Sequence, residues 1–114
     1  MMNERAEQAL VASYLRANNI QVIVTLGGIK LSESQKRLYK QAGYQPGTPD
    51  LFIPYARGKF HGLAIEMKKK KGGTVSDVQK DYLKNLEKEG YKIVIARGAS
   101  DALQYIQSYL GGVK

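Results

Sequence analysis

The second half of the chain restricts the possible folds more than any other part of this sequence. Two short β-prone runs, Asp50–Tyr55 and Gly62–Lys68, are separated by a glycine-containing connection, which is typical of an antiparallel hairpin. A helix then begins at Ser76 and ends before Gly90, and the apolar run Lys92–Ala96 follows it as a strand. A strand–helix–strand unit of this kind forms a crossover between parallel strands. The pattern therefore predicts an α/β domain with a mixed sheet.

The first half of the chain adds a helix, a strand and a segment that fits either a helix or a loop. Asn3 is the predicted N-cap of a first helix that ends near Asn18. Ile20–Val24 is rich in β-branched residues and predicts a strand that stops at Gly27-Gly28. Ser32–Ala42 has the composition of a short Lys-rich helix or a partly ordered loop. The predicted order is α-β-(α)-β-β-α-β-α, a mixed sheet flanked by helices.

The last strand and the last helix carry two more specific expectations. The run Lys92–Ala96 is almost continuously apolar, which is typical of a strand buried on both faces. Ser100 precedes a helical pattern of apolar residues and is the predicted N-cap of the final helix.

Length and composition exclude several classes of protein. A chain of 114 residues is one domain, so we expect residues 1–114 to share one core. The chain has no cysteine, which excludes a disulfide scaffold, a zinc finger and a thiol nucleophile. Its single histidine, His61, leaves little room for a His-rich metal site or a Ser-His-Asp triad. No apolar run approaches the ~18 residues of a membrane span, and the N-terminus is charged, so we expect an intracellular (cytoplasmic) protein that does not enter a membrane.

The charge balance indicates what kind of partner the protein binds. Eighteen Lys and Arg residues against ten Asp and Glu residues give a net charge of +8. In so small a domain this favours a polyanionic partner, most often nucleic acid or an anionic membrane surface. The alternative is a basic protein whose charge serves only solubility.

The predicted hairpin brings two acidic residues together. If the chain turns around Gly58 and Lys59, Asp50 lies opposite Glu66, to within one residue. Directly opposed side chains on neighbouring strands are about 4.5–5.5 Å apart at Cβ, and like charges there are destabilising. A divalent cation such as Mg²⁺ between the two carboxylates removes this repulsion. The alternative is that Glu66 is a solvated residue of an edge strand.

Lys68 shares a strand face with Glu66, because residues two apart in a strand point the same way. Ile65 and Met67 then point to the opposite, apolar face. A lysine beside a metal site can position a water molecule or stabilise charge that develops on a phosphate. A Glu-x-Lys triplet occurs often by chance, but an aspartate that follows Gly-x-Pro sixteen residues before Glu66 makes the pattern much more specific.

These motifs resemble those of a known family. Gly47-Thr48-Pro49-Asp50-Leu51, Ile65-Glu66-Met67-Lys68 and Gln79 in the next helix are similar in order and spacing to the motifs of the VRR-NUC nucleases. These belong to the PD-(D/E)XK, restriction-endonuclease-like superfamily, which also contains archaeal Holliday-junction resolvases. Small phage-type members have about this length, so the resemblance covers essentially the whole chain. Met67 stands where the family often has valine, on the buried side of the strand.

The resemblance implies a function and a set of site residues. It implies a Mg²⁺- or Mn²⁺-dependent endonuclease that hydrolyses DNA phosphodiesters, with Asp50, Glu66 and the backbone carbonyl of Met67 as metal ligands. Lys68 would then help to activate water, and Gln79 would join the catalytic site. The small phage-type members further imply a homodimer that acts on four-way (Holliday) junctions and other branched DNA, encoded by a phage or prophage in a bacterial host.

The family also carries a glutamate on its first helix, and two residues qualify by type. Helical phasing places Glu7 within the apolar stripe of Leu10, Val11 and Tyr14, whereas Glu4 lies nearer the edge of that stripe. The related resolvases have Glu followed three and four residues later by aliphatic residues, as Glu7 is. We therefore expect Glu7 to contribute to the metal site, through water or at a second cation. Either glutamate is also favoured simply by the helix dipole.

Gln79 has a structural explanation as well. It stands three residues after Ser76, which is the spacing of a capping box. A glutamine side chain in one orientation is expected to serve either the cap or the catalytic site, and the resemblance favours the site.

Two basic groups are candidates for contact with the DNA backbone. Lys69, Lys70 and Lys71 precede Gly72-Gly73 and predict a flexible cationic loop beside the metal site. The second group lies in and near the predicted short helix and comprises Lys30, Lys36, Arg37 and Lys40. Such contacts hold DNA without reading its sequence.

Two other functions remain open from the sequence. A non-catalytic DNA-binding or accessory module would use the carboxylates as ordinary surface charges. A restriction-type nuclease of the same fold would need a larger base-reading element than this short chain offers.

Overall fold

The computed structural model describes residues 3–26 and 30–111, and the predicted stop at Gly27-Gly28 lies outside them. The order of helices and strands is the predicted one, and the segment that fitted either a helix or a loop is a helix. In chain order they are α1 (Glu4–Ala17), β1 (Ile23–Val24), α2 (Glu33–Gln41), β2 (Leu51–Ile53), β3 (Leu63–Lys68), α3 (Asp77–Lys88), β4 (Lys92–Arg97) and α4 (Ala99–Leu110).

The sheet is mixed, as expected, and its four strands follow the order β1-β2-β3-β4. β2 and β3 form an antiparallel hairpin, with a turn at Gly58 and Lys59 closed by a bridge between Arg57 and Phe60. β3 and β4 are parallel and are connected through α3, which confirms the predicted crossover. The α/β class with a helix-flanked mixed sheet is therefore confirmed.

The two faces of β3 have different roles. Every residue of this strand is buried, and its odd-numbered residues Leu63, Ile65 and Met67 belong to the main core cluster. Val11 and Leu15 of α1 and three residues of α4 complete that cluster from the same side; the latter are Ala99, Ala102 and Ile106. The even-numbered residues of β3 face α3 instead. The sheet thus separates an apolar core from a polar layer that holds Glu66 and Lys68.

The first strand is shorter than the five residues predicted. Ile20 donates its backbone amide to the carbonyl of Leu15, which extends the end of α1, and Gln21 donates its amide to the Tyr55 hydroxyl. These residues therefore use their backbone groups outside the ladder, and only Ile23 and Val24 pair with β2. The apolar stripe of α1 also differs from the prediction, because Leu10 is 48% exposed.

β4 is not buried on both faces, contrary to expectation. It is the last strand of the described sheet, and its residues alternate between buried and exposed, so that Val94 and Ala96 face the core while Ile95 is 38% exposed. The second face of β4, which carries Ile93 and Ile95, is covered only in part, by Leu83 of α3 and its neighbours.

Ser100 is not the N-cap of the last helix, contrary to the prediction. α4 begins one residue earlier than Ser100, and its N-cap is Gly98, which has no side chain to accept a hydrogen bond. The carboxylate of Glu7 takes this role from another helix, because Ala99 donates its backbone amide to Glu7 Oε1 at 3.2 Å. α1 and α4 are therefore joined by a polar contact as well as by the apolar core.

Candidate active site

Asp50 and Glu66 occupy the facing positions that the sequence predicts. Leu51 pairs with Ile65 in the antiparallel ladder, and the next position of that register sets Asp50 against Glu66. Both side chains are buried, at 4% and 3% exposure. Two carboxylates are thus held next to each other and away from solvent, an arrangement that is unfavourable without a partner for their charge.

Hydrogen bonds hold Asp50 at its backbone carbonyl and at its side-chain carboxylate. The Asp50 carbonyl accepts a hydrogen bond from the Thr25 amide at 3.0 Å, and Asp50 Oδ2 accepts one from the Met67 amide at 2.7 Å. The preceding turn needs glycine at position 47, where φ is +91° and a Cβ atom would lie 2.7 Å from Val78 Cγ1. The Gly-Thr-Pro-Asp turn therefore packs directly on the first turn of α3.

Glu66, Lys68 and Gln79 form a closed hydrogen-bonded group. Lys68 Nζ lies 3.2 Å from Glu66 Oε2 and donates to Gln79 Oε1 at 3.2 Å. Gln79 Nε2 donates to the same Glu66 Oε2 at 2.8 Å. One oxygen of Glu66 is thus held by two donors, and the orientation of the whole carboxylate is set by α3 and by β3 itself.

Gln79 serves the helix cap and the carboxylate group at once, so the expected exclusion between the two roles was wrong. Its Oε1 accepts from the Ser76 amide at 3.1 Å, and the Ser76 hydroxyl accepts from the Gln79 amide, which completes the capping box. Its Nε2 remains available for Glu66, because an amide side chain has an accepting and a donating end. The capping box consequently holds Gln79 in the orientation that the carboxylate group requires.

The electrostatics of the pair reflect its burial. Burial, followed by the charge of Asp50, raises the pKa of Glu66 to about 7, although Lys68 and Gln79 oppose this shift. Burial also raises the pKa of Asp50, against the lowering effects of the Met67 amide and of Lys68. The protein alone therefore does not fully compensate the two negative charges.

One buried oxygen shows that the site fits a cation. Glu66 Oε1 is buried and has no hydrogen-bond partner among the described residues. A hard divalent cation prefers such carboxylate oxygens and would supply the missing partner and positive charge together. The described residues contain no group of three Asp, Glu, His or Cys side chains placed to hold a metal ion. Asp50 and Glu66 are therefore the two acidic side chains that this site offers to a cation.

The two candidate glutamates of α1 lie in different surroundings. Glu7 is buried, as helical phasing predicts, but its carboxylate is engaged at the N-terminus of α4 by the Ala99 amide. The structure therefore does not bring Glu7 into one carboxylate group with Asp50 and Glu66. Glu4 is partly exposed, and its charge contributes to raising the pKa of Asp50.

The two basic groups are both exposed but lie on different elements. Lys69, Lys70 and Lys71 directly follow Lys68 at the end of β3 and are exposed. Lys30, Lys36 and Arg37 are exposed as well, the last two on α2, none of whose residues is buried. The groove of about 350 Å³ beside α2 is lined by seven residues: Leu31, Glu33, Lys36, Arg37, Lys40, Tyr44 and Pro46.

Arg97 is a polar residue near the site that the sequence did not reveal. It ends β4 and pairs in register with Lys68. Its guanidinium donates to the carbonyl oxygens of Lys69, Gly72 and Gly73, so the loop predicted to be flexible is hydrogen-bonded to the sheet. Only the parallel register, which places the end of β4 beside the end of β3, shows that Arg97 lies next to Lys68.

A mixed sheet that carries a facing Asp–Glu pair, a lysine two residues further on and a helix-borne glutamine defines a nuclease-type domain of the restriction-endonuclease-like fold. The sequence profile of the VRR-NUC domain matches residues 1–100, and the chain belongs to this family. A solved structure described as a VRR_NUC domain protein is similar over 100% of this chain and 98% of its own, with a TM-score of 0.80 and 28% identity. A comparison with curated proteins found no match. Among the described helices, none is long and apolar enough to cross a membrane.

Proposed function

We propose that the protein is a Mg²⁺- or Mn²⁺-dependent, structure-selective endodeoxyribonuclease that cleaves four-way junctions or other branched DNA. The observation that carries the proposal is the buried Asp50–Glu66 pair, in which Glu66 Oε1 has no partner among the described residues while Lys68 stands beside it. A merely structural role would leave two buried carboxylates with a single lysine to compensate them, whereas a metal site explains both the burial and the unpartnered oxygen.

Asp50, Glu66 and the backbone carbonyl of Met67 are the proposed ligands. The Met67 amide points to Asp50, and its carbonyl lies on the same edge of β3, because both groups of a strand residue face the same neighbouring strand. The bound cation would activate a water molecule and stabilise charge on the phosphate. Glu7 remains a proposed contributor through water or at a second cation, a role that requires its carboxylate to act from the start of α4.

Lys68 and Gln79 supply the remaining groups of the proposed site. Lys68 Nζ is positioned between Glu66 and Gln79, where it can orient a water molecule or donate to a phosphate oxygen that gains charge. Gln79 fixes the Glu66 carboxylate and the lysine at the same time. Substitution of Gln79 is thus expected to disturb the orientation of both.

The basic groups and a two-fold assembly account for the proposed substrate. Lys69–Lys71 and Lys30, Lys36 and Arg37 would contact phosphates without reading bases. Resolution of a junction needs two symmetric cuts, which a homodimer with two sites provides. A dimer also doubles the net charge of +8 around the crowded phosphates of a branch point. An intracellular, phage- or prophage-encoded setting belongs to the same proposal.

The test combines substrate, metal and assembly in one preparation. A labelled four-way junction and a linear duplex of the same sequence are incubated with the protein while Mn²⁺ or Mg²⁺ is titrated. We expect paired cuts in opposite strands of the junction, poor cutting of the duplex and no cutting in EDTA. Light scattering should show a dimer of about 25 kDa, twice the 12.7 kDa of one chain. A monomer that cuts both DNAs equally would contradict the junction preference, and metal-independent binding without cutting would favour the accessory module.

A further inference from the structure

The segment that follows β3 has a composition that should leave it mobile. Lys69, Lys70 and Lys71 repel one another, and Gly72 and Gly73 adopt φ values of +75° and +67°, which glycine reaches at no steric cost. All five residues are exposed, and none belongs to the apolar core cluster. We name residues 69–73 the basic loop.

Arg97 holds this basic loop through its main chain. Arg97 Nη1 donates to the carbonyl oxygens of Lys69 at 3.0 Å and Gly72 at 2.5 Å, and Nη2 donates to that of Gly73 at 3.1 Å. The planar guanidinium carries several donors in fixed directions, which suits three converging acceptors. A lysine at position 97 would keep the charge but present one ammonium group on a flexible stem.

Arg97 is itself fixed on two sides. Its backbone amide donates to Asp101 Oδ2 at 2.8 Å, and the next residue, Gly98, donates its amide to the carbonyl of Lys68 at 3.2 Å. The Lys70 side chain is packed over Gly98: a Cβ atom at that position would lie 3.0 Å from both Lys70 Cε and Glu7 Oε2. The basic loop is therefore attached to the same strand end that adjoins Lys68.

We propose that Arg97 is a positioning residue for DNA binding, which holds the basic loop in one conformation so that its lysines form a fixed cationic edge beside Lys68 and Glu66. The inference rests on the proposed function, since it takes DNA as the partner. A fixed loop binds phosphates without first losing conformational freedom, whereas a free loop loses it at binding. The role of Arg97 is thus separate from its own charge, and a charge-conserving substitution should expose it.

The experiment compares Arg97→Lys with Arg16→Lys, a matched control at an exposed arginine in the last turn of α1. The first measurement is the rate of trypsin cleavage after residues 69–71 in the absence of DNA, followed by mass spectrometry. We expect R97K to be cleaved at least about tenfold faster than the wild type, because hydrogen bonds from a charged donor are lost. R16K should be cleaved at the wild-type rate.

The second measurement is the affinity for a four-way junction in EDTA at several salt concentrations. R97K keeps the net charge, yet we expect its affinity to fall about tenfold, since immobilising the freed lysine side chains then opposes binding. R16K should bind like the wild type. If R97K matches the wild type in either measurement, the proposal is overturned: an unchanged cleavage rate would mean that Arg97 does not hold the basic loop, and retained affinity with faster cleavage would mean that the fixed loop does not help to bind DNA.

A second variant covers the case in which R97K does not fold, as judged by circular dichroism. Gly72→Ala disturbs the basic loop without touching β4: its Cβ meets no atom within 4 Å, but φ of +75° is unfavourable for alanine. We expect Gly72→Ala to be cleaved by trypsin about threefold faster and to bind the junction about threefold more weakly than the wild type. Unchanged trypsin cleavage and affinity would overturn the inference. A wild type that binds the junction and never cuts it in Mn²⁺ would instead refute the proposed nuclease, while both measurements still decide the role of Arg97.

Discussion

The carboxylate site and helix α2 are built in opposite ways. Asp50 and Glu66 are almost fully buried; the Met67 amide holds Asp50 Oδ2, and Lys68 and Gln79 hold Glu66 Oε2. α2 has no buried residue, and its Leu38 is 62% exposed. Hydrolysis needs groups held in one geometry, whereas exposed basic side chains on a helix can hold a phosphate backbone by charge without reading bases. The contrast predicts that substitutions at the site change the rate of cleavage and that substitutions on α2 change affinity.

The largest effect is expected at the site itself. Asp50→Asn or Glu66→Gln should reduce the cleavage rate at saturating DNA by at least about 100-fold, because each removes a proposed metal ligand. Junction affinity should be kept or increased, since a negative charge near phosphate is removed. Lys68→Ala should also cut poorly but still bind metal in calorimetry. Lys36→Gln on α2 is the control, and near-normal turnover of either carboxylate variant would show that the site is assigned wrongly.

A smaller effect on cleavage separates the two uses of Gln79. Gln79→Ala loses the capping box and the donor to Glu66, whereas Ser76→Ala loses the cap alone. Both variants should lose about 1 kcal/mol of stability through the cap. Only Gln79→Ala should also lower the cleavage rate, by about tenfold, because one hydrogen bond to the charged Glu66 disappears. Equal cleavage rates in the two variants, measured at saturating DNA, would reduce Gln79 to a helix cap.

The carboxylate site could be predicted from the sequence because its geometry is local. The facing of Asp50 and Glu66 follows from a local hairpin, whose turn at Gly58 and Lys59 fixes the register. The face shared by Glu66 and Lys68 follows from strand alternation, which is equally local. Such features depend on residues close in the chain, so the sequence pattern alone was sufficient.

Contacts between distant segments were not predictable in the same way. Glu7 and Ala99 are 92 positions apart and meet only because α1 packs against α4. Arg97 reaches the basic loop because β3 and β4 are parallel and in a particular register. The burial of β4 depended on how much of its second face α3 covers, which no property of Lys92–Ala96 reveals.

Neutralising the two basic groups should lower affinity and leave the cleavage rate at saturation nearly unchanged. Each lysine that no longer neutralises a phosphate should reduce the slope of log K against log salt by roughly 0.9 on duplex DNA. We expect the full reduction for Lys69, Lys70 and Lys71 replaced by Gln. A similar reduction for Lys36 and Arg37 replaced by Gln would place α2 on the DNA as well, and binding by fluorescence anisotropy measures both. An unchanged slope for the basic loop would mean that its lysines do not bind DNA.

The smallest expected effect concerns stability without metal. Glu66 has a folded-state pKa of about 7, above its ordinary value of 4.5, so its protonated form stabilises the fold below pH 4.5 and this contribution is lost as the pH rises through 7. Thermal unfolding in EDTA should therefore show Glu66→Gln more stable than the wild type near pH 8, by about 1–2 kcal/mol. At about pH 4 the difference should vanish, and a difference that is independent of pH would contradict this origin.

The central claim is that the buried Asp50–Glu66 pair is a metal site, and calorimetric titration with Mn²⁺ tests it most directly. Wild-type protein near pH 8 should bind Mn²⁺ at a site in each chain, and Glu66→Gln should bind at least about tenfold more weakly, because the unpartnered Glu66 oxygen is replaced. Glu33→Gln, on the exposed α2, should bind like the wild type. Identical isotherms for the wild type and Glu66→Gln would contradict the account.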